Sequence, residues 1–166
     1  GNSMGGHIGL LFAKNYPKLL KGLILTGSSG LYENNMGDKY PNRENYDWIK
    51  SKTEDVFFDS NIASKELIDE VFDTVNDRNK LIRTLALAKS AIRHNMANDL
   101  PKMKIKTAII WGNQDSVTPP DVAKEFHKLL PNSSLYWIDK CGHVPMMEHP
   151  KEFNNIMHKW LINLNN

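Results

Sequence analysis

The chain has 166 residues, 40% of them hydrophobic, which is enough for one ordinary domain with a buried core. Its 21 basic and 19 acidic residues give a formal net charge of +2, and neither sign forms a long run. This balance argues against nucleic acid or an anionic membrane as the main partner, and no apolar run reaches the roughly 18 residues of a membrane-spanning helix.

The first five residues, Gly1-Asn2-Ser3-Met4-Gly5, match the pattern G-x-S-x-G of a nucleophile elbow. In this motif a sharp turn from a strand to a helix strains the serine, and the two glycines leave out the Cβ atoms that would block the turn. The pattern alone is weakly specific, because it also occurs in ordinary loops. Residues 5–13 continue as a small and apolar helix whose first N–H groups would point at the site. The context therefore favours a reactive Ser3.

A strand and a helical segment are predicted next. A short apolar run closed by turn residues predicts a strand at residues 22–30, and residues 32–46 indicate an exposed connection. Two stretches of helical period follow, with Ser64 as N-cap of the first. We expect most of their apolar side chains to pack within the segment and one or two to line a substrate pocket. These side chains are Leu67, Ile68, Val71, Phe72 and Val75, and Leu81, Ile82, Leu85, Ala88 and Ile92.

The last third of the chain alternates strands and helices. Residues 107–115 predict a buried strand that ends in Asp115, and residues 134–143 predict a strand that ends in Gly-His. Between them, Thr118 can cap a helix with prolines in its first turn, and another helix follows Pro150. The predicted buried stripes are Val122, Phe126, Leu129 and Leu130, and Phe153, Ile156, Met157, Trp160, Leu161 and Leu164.

The order serine, aspartate, histidine along the chain is the order of the catalytic triads of α/β-hydrolases. The chain resembles this superfamily, most closely its carboxylesterases and meta-cleavage-product (C–C bond) hydrolases. A serine at the elbow argues against the haloalkane dehalogenases and epoxide hydrolases, which resemble this pattern but carry aspartate there. The motifs are Gly1-Asn2-Ser3-Met4-Gly5-Gly6, Trp111-Gly112-x-x-Asp115, and Cys141-Gly142-His143 with Glu148-His149-Pro150 and Phe153.

The resemblance implies an α/β fold that corresponds to the C-terminal part of an α/β-hydrolase. Parallel strands six to eight with flanking helices would form the core from residues 1–32 and 105–166, and residues 33–104 would form an inserted all-helical cap. Strands one to five would lie outside this chain. We therefore expect a fragment that is inactive or weakly active alone. Its open sheet edge would need the missing N-terminal half of the same fold, or self-association.

The roles implied for the site residues agree with their chemistry. Ser3 would be the nucleophile, because a serine hydroxyl needs a base such as His143 to remove its proton. Asp115 would hold the imidazole in the right tautomer and stabilise the imidazolium, with Asp139 as the alternative acid. The backbone N–H of Met4 would be one oxyanion donor, and the second would come from the loop after strand three.

Other candidate residues have simpler interpretations. We expect His7 to be a packed helix residue, and His149 to cap the last helix or to fix the loop that carries His143. Cys141 has no second base and is expected to be structural. No cofactor is implied. Turn roles are expected for Ser28 and Ser29, with contact to the substrate as the alternative, and core roles for Trp111 and Trp137. No metal site is expected for His94, His127 and His158.

Two functions of different class follow from these patterns. The first is a serine hydrolase that acts on a small or medium carboxylic ester, or an activated C–C bond, through an acyl-enzyme on Ser3. The second is a non-catalytic, receptor-like module of the same fold that binds a small molecule. The intact Ser3, Asp115 and His143 favour the enzyme. The substrate-binding residues, the choice between ester and C–C cleavage, the oligomeric state and the origin of the truncation stay open.

The single cysteine, Cys141, cannot form an internal disulfide and suits a reducing compartment. We therefore expect a cytoplasmic protein with a small-molecule substrate and with neither nucleic acid nor a membrane as partner. A signal peptide stays an open alternative, because the natural N-terminus is expected to lie upstream of Gly1.

Overall fold

The computed structural model describes residues 1–32 and 42–165, which form a three-stranded parallel sheet with helices on both faces. The strands are β1 (Leu23–Leu25), β2 (Thr107–Gly112) and β3 (Ser133–Ile138). The helices are α1 (Met4–Asn15), α2 (Tyr46–Glu54), α3 (Lys65–Asn76), α4 (Arg78–Arg93), α5 (Pro120–Leu129), α6 (Pro145–Glu148) and α7 (Pro150–Asn165). The predicted α/β class is confirmed. None of the helices in these ranges is long and apolar enough to cross a bilayer.

Three segments of the chain meet at the carboxyl ends of the parallel strands. β2 lies in the centre and pairs with both other strands in parallel, and all six of its residues are buried, as expected for a strand covered on both faces. Asn2 forms a parallel bridge to Thr26 just after β1. The carboxyl ends of the strands therefore bring Ser3 close to the residues that follow Gly112 and Ile138.

Two clusters of apolar side chains hold the helices against the sheet. α1 and α5 pack on one face, and α7 packs on the other. Ile109 and Trp111 of β2 belong to the first cluster, whereas Ala108 and Ile110 belong to the second, because side chains alternate along a strand. Trp111 is fully buried and its Nε1 donates to the carbonyl oxygen of Thr118 at 2.9 Å. Its predicted core role is confirmed.

The predicted stripes of α5 and α7 are confirmed except at one position. Leu161 is 38% exposed, because it lies about 100° around the helix from Trp160, at the margin of the stripe. The buried members of the two stripes are Val122, Phe126, Leu130, Phe153 and Trp160, and the half-buried members are Leu129, Ile156, Met157 and Leu164.

The described part of the segment between β1 and β2 contains the helices α2, α3 and α4, which loops connect. Ser64 Oγ accepts a hydrogen bond from the N–H of Leu67 at 3.3 Å, which confirms Ser64 as N-cap of α3. Ile82 and Ile92 of α4 are 55% and 48% exposed, so the predicted apolar face of this helix is only partly covered. Residues 33–41 of the predicted connection lie outside the described residues.

The end of this helical segment joins the main core. Met96, Leu100 and Met103 are buried in the same cluster as Leu25 and Ile109. The division into a core and a cap, with boundaries after residues 32 and 104, stays a prediction.

Candidate active site

Ser3 lies in a strained turn between the sheet edge and α1. Its φ is 52° and its ψ is −122°, and a positive φ is uncommon for any residue except glycine. The N–H of Ser3 donates to Thr26 O at 3.0 Å, and the N–H of Ser29 donates to Ser3 O at 3.1 Å. A Cβ on Gly1 would lie 2.4 Å from the oxygen of Gly5, so a side chain at Gly1 would block the turn. Apart from the chain neighbours of Gly5 and the backbone of its own helix, no heavy atom of the described residues lies within 4 Å of a Cβ on Gly5.

The steric role predicted for the two elbow glycines is therefore confirmed for Gly1, whereas the prediction for Gly5 finds no support among the described residues. A third glycine, Gly6, is tightly packed instead. A Cβ there would lie 2.3 Å from Ser28 Oγ, so α1 can approach the end of β1 closely only with glycine at this position.

The backbone N–H of Met4 makes no hydrogen bond within the described part of the chain. Its neighbours are used locally, since the N–H of Gly5 donates to Asn2 O at 2.7 Å and the N–H of His7 donates to Ser3 O at 3.3 Å. Met4 is the first residue of α1, where the helix dipole also favours negative charge. This N–H can therefore bind an oxyanion that forms beside Ser3.

Asp115 and His143 form a buried pair beyond the ends of β2 and β3. Nδ1 of His143 lies 2.9 Å from Oδ2 of Asp115, and the two residues are 5% and 3% exposed. The other carboxylate oxygen, Oδ1, accepts the backbone N–H groups of Val117 at 2.8 Å and Thr118 at 2.9 Å. A carboxylate in this position favours the tautomer with hydrogen on Nδ1, which leaves Nε2 to act as a base.

Thr118 has a different role from the predicted one. α5 begins at Pro120, and its N-cap, Pro119, makes no side-chain cap. The hydroxyl of Thr118 donates to Asp115 Oδ2 at 2.9 Å and lies 3.3 Å from His143 Nδ1. The prediction that Thr118 caps α5 is wrong, because the buried carboxylate is a strong, charged acceptor that takes both its hydroxyl and its N–H.

The backbone and ring of His143 are held by several segments. Nδ2 of Asn2 donates to His143 O at 3.0 Å, and the N–H of His143 donates to Val56 O at 2.9 Å. A Cβ on Gly27 would lie 2.7 Å from both Cε1 and Nδ1 of the imidazole, so the ring packs directly on the Gly27 backbone. The residue that precedes Ser3 is thus bonded to the backbone of His143, the predicted base.

The structure places Ser3, Asp115 and His143 at one edge of the sheet. No hydrogen bond joins Ser3 Oγ to His143 in the described residues, and in unliganded enzymes such contacts are often long. The alternative acid, Asp139, is exposed, and a hydrogen bond from Gln114 Nε2 at 3.1 Å lowers the pKa of its carboxyl. The geometry therefore selects Asp115 as the partner of His143.

The remaining candidate residues make structural contacts. His7 is buried, and its Nε2 lies 2.9 Å from the carbonyl oxygen of His94, the C-cap residue of α4. Nε2 of His149 lies 2.9 Å from Lys140 O, so His149 fixes the loop before His143, the second of its two predicted roles. Burial raises the pKa of the Cys141 thiol, which keeps it protonated and unreactive. In the described ranges, no group of three or more His, Cys, Asp or Glu side chains is placed to hold a metal ion.

A cavity of about 740 Å³ lies next to the loop that carries His143. Its walls come from α2, α3 and α4 and from Val144 and Met147, and Val144 directly follows His143. More helical side chains line it than the one or two that we predicted. Most of its lining is apolar: Trp48, Ile49, Val56, Phe57, Leu67, Val71, Val75, Leu81, Leu85, Val144 and Met147, with Arg43, Lys52 and Thr53 as the charged and polar members.

Sequence reasoning missed four residues that shape the site. Asn2 belongs to the elbow motif, and Thr118 lies three residues after the predicted acid, so their positions carried a signal for a role in the site. Gly27 carried none, and Glu148 stood in the quoted family motif without an assigned role, because the groups that they contact, the ring of His143 and the N–H of Phe58, are distant in the chain.

Comparison with known proteins identifies the family. A family model described as the alpha/beta hydrolase fold matches residues 1–150. The chain belongs to the α/β-hydrolase family. A 2-hydroxy-6-oxononadienedioate/2-hydroxy-6-oxononatrienedioate hydrolase from Pseudomonas sp. is 28% identical, over 97% of this α/β-hydrolase and 61% of the relative. Lipase 3 from Moraxella sp. is also 28% identical, over 93% of this chain and 52% of the lipase.

Solved structures agree with this assignment. An α/β-hydrolase from the metagenome of lagoon sediments of Mar Chica, Morocco, is 51% identical with a TM-score of 0.75, over 100% of this chain and 61% of that one. A serine hydrolase involved in carbazole degradation is 26% identical with a TM-score of 0.77, over 97% of this chain and 61% of that one. This α/β-hydrolase chain thus spans 61% of the length of three of these relatives and 52% of the lipase.

Proposed function

We propose that this protein is a serine hydrolase that cleaves an ester with an apolar group, through an acyl-enzyme on Ser3. The buried pair of Asp115 and His143, 2.9 Å apart at the sheet edge that also carries the strained Ser3, is the observation that supports it best. A relative named as a lipase and relatives named as hydrolases support hydrolytic chemistry.

In the proposed first half-reaction, Nε2 of His143 takes the hydroxyl proton of Ser3 while Oγ attacks the ester carbonyl carbon. The carbonyl oxygen becomes negative and accepts the N–H of Met4. When this tetrahedral species collapses, the carbon–oxygen bond to the alcohol breaks, and His143 returns its proton to that alcohol. Asp115 stabilises the imidazolium throughout.

The second half-reaction repeats these steps with water. His143 removes a proton from the water as its oxygen attacks the acyl carbon. The bond from that carbon to Ser3 Oγ then breaks, Oγ regains a proton from His143, and the carboxylic acid leaves.

The cavity supports an apolar substrate group. Its aliphatic and aromatic walls would bury an acyl or alcohol chain, at about 25 cal/mol per Å² of apolar surface removed from water. A second candidate is cleavage of an activated C–C bond in a carboxylate-bearing substrate, which the cations Arg43 and Lys52 on the cavity lining favour. Lys52 is already paired with Asp55 at 2.7 Å, which weakens this second candidate.

We also propose that the second oxyanion donor comes from outside the residues of this chain. A segment that completes the sheet beside Gly1 and Asn2, or a second copy of the chain, would supply it. The bridge from Asn2 to Thr26 supports this, because it continues the parallel sheet beyond β1. Loss of one such donor costs about 100-fold to 1,000-fold in turnover.

A fluorophosphonate probe tests the proposal in the natural protein that carries this sequence. We expect one label per protein, none in Ser3→Ala, and much slower labelling in His143→Ala. Folded protein that never labels would contradict the proposal and favour a non-catalytic binding module. Turnover of p-nitrophenyl esters of increasing chain length, compared with a 2-hydroxy-6-oxo-dienoate, then decides between ester and C–C cleavage.

A further inference from the structure

Glu148 bridges two parts of the molecule that meet only in three dimensions. It is the last residue of α6, and its Oε1 accepts the N–H of Gly142 at 2.8 Å. Its Oε2 accepts the N–H of Phe58 at 2.8 Å. Gly142 belongs to the segment 139–144, which we call the histidine loop. Phe58 belongs to the segment 55–58 after α2, which we call the cap loop.

The two loops are also bonded to each other directly. The N–H of His143 donates to Val56 O at 2.9 Å, so the backbone of the base is itself attached to the cap loop. A Cβ on Gly142 would lie 2.7 Å from Val56 O and 2.8 Å from Phe58 N, which leaves no space between the loops. Displacement of the cap loop would therefore displace the backbone of His143.

The acid of the Asp115–His143 pair is tied to the same loop. Ser116, which follows Asp115, donates its hydroxyl to Asp55 O at 3.0 Å. The cap loop is therefore bonded both to His143 and to the residue that follows Asp115. It also forms part of the cavity wall through Val56 and Phe57.

A carboxylate suits this bridge because both of its oxygens accept hydrogen bonds, and bonds to a charged acceptor are short and strong. An amide offers one oxygen, and its NH₂ group would face an N–H donor. Glutamine at position 148 would therefore keep the size of the side chain and lose one of the two contacts.

We propose that Glu148 is a positioning residue, which holds the cap loop and the histidine loop together and so sets the place of His143 relative to Ser3. This inference rests on the proposed function, because it gives Glu148 its role through His143 as the base. The same link connects the wall of the cavity to the base, so the residues that contact the substrate and the residues that act on it share one support.

The test compares Glu148→Gln with Glu152→Gln in the natural protein. Glu152 also lies near Cys141 and loses the same charge, but its carboxylate makes no hydrogen bond to another described residue. The number of active sites is titrated with the fluorophosphonate. KM and the kcat per titrated serine are then measured with a p-nitrophenyl ester. Hydrogen exchange is followed in peptides that contain Phe58 and Gly142.

In Glu148→Gln we expect kcat per titrated serine to fall about 10-fold to 100-fold, since displacement of a reacting group by about 1 Å costs about 100-fold. KM should change by a smaller factor than kcat, because only two of the cavity's lining residues belong to the cap loop, and both peptides should exchange faster. Glu152→Gln should match the wild type in all of these. A role in stability alone would lower the melting temperature and leave kcat per titrated serine unchanged.

An unchanged kcat per titrated serine in Glu148→Gln, or an effect on KM alone, would overturn the inference. Wild-type protein that never labels would overturn the proposed function and the positioning role with it. Labelled wild type with an unaffected Glu148→Gln would overturn the positioning role alone. If Glu148→Gln does not fold, Glu148→Asp takes its place, because the shorter side chain cannot reach both N–H groups and should give the same pattern of change.

Discussion

Replacement of Gly27 by alanine should slow catalysis and also lower stability. The imidazole of His143 packs on the Gly27 backbone, and a Cβ there would lie 2.7 Å from Cε1 and Nδ1 of the ring. Ordinary contact begins at 3.4 Å, so the ring or the backbone must move by about 0.7 Å. Because Nδ1 is also bonded to Asp115, such a shift disturbs the acid and the base together.

The expected magnitude follows from that displacement. A misplacement of about 1 Å can cost about 100-fold in rate, so a shift of about 0.7 Å should slow the chemical step by about 10-fold to 100-fold. Gly27 has φ +47°, and alanine in this left-handed conformation costs about 1–2 kcal/mol of folding free energy. The melting temperature of Gly27→Ala should therefore fall as well.

The assay separates these two effects with a matched variant. Gly30 has φ +120°, but a Cβ there would meet its nearest atoms, in His7 and Leu10, at the ordinary distance of 3.4 Å. Gly30→Ala thus strains the backbone without touching His143. The rate of fluorophosphonate labelling should fall in Gly27→Ala and stay near the wild type in Gly30→Ala. Equal labelling rates in the two variants would show that contact with the Gly27 backbone does not position His143.

Two further predictions concern hydrogen bonds to carboxylates. Thr118→Val should lower the free energy of unfolding by about 2 kcal/mol and slow turnover, because the buried Asp115 loses a donor and His143 loses part of its support. Thr118→Ser should restore both, and chemical denaturation with steady-state kinetics checks this. The N–H of Lys80 lowers the pKa of Asp77, the N-cap of α4, below its ordinary 3.8. Because the pKa is lower in the folded state, the ionised carboxylate of Asp77 stabilises the folded protein above about pH 4. This stabilisation is lost as the pH falls through the folded pKa. The gap in melting temperature between wild type and Asp77→Ala should therefore be larger at pH 7 than at pH 2, and an equal gap would contradict the capping role.

The local features of this protein could be predicted from the sequence because they depend on neighbouring residues. The turn at Ser3 needs a glycine at Gly1, the N-cap Ser64 bonds within its own first turn, and α7 shows its apolar period directly. The chain order of Ser3, Asp115 and His143 likewise pointed to the site, because Ser3 precedes the predicted elbow helix and the other two end predicted strands.

The tertiary structure decided what distant segments do to each other. Thr118 is of a residue type that often caps helices and stands just before α5, yet its hydroxyl donates to the buried carboxylate of Asp115 instead. Sequence left Asp115 and Asp139 as alternatives, and only the packing of β2 beside β3 shows which of them reaches His143. In the same way, no local pattern shows that a glutamate bridges two loops.

The fold class, the candidate serine at the elbow and the types of residue around it could thus be predicted from sequence alone, because they follow from short-range sterics and from the periods of helix and strand. The partner of His143, the support that Asn2, Gly27 and Glu148 give to it, and the apolar cavity beside it became visible only in the folded protein. The physical reason is that hydrogen bonds to buried groups, and contacts at van der Waals distance, depend on which segments meet, and a linear pattern does not carry that information.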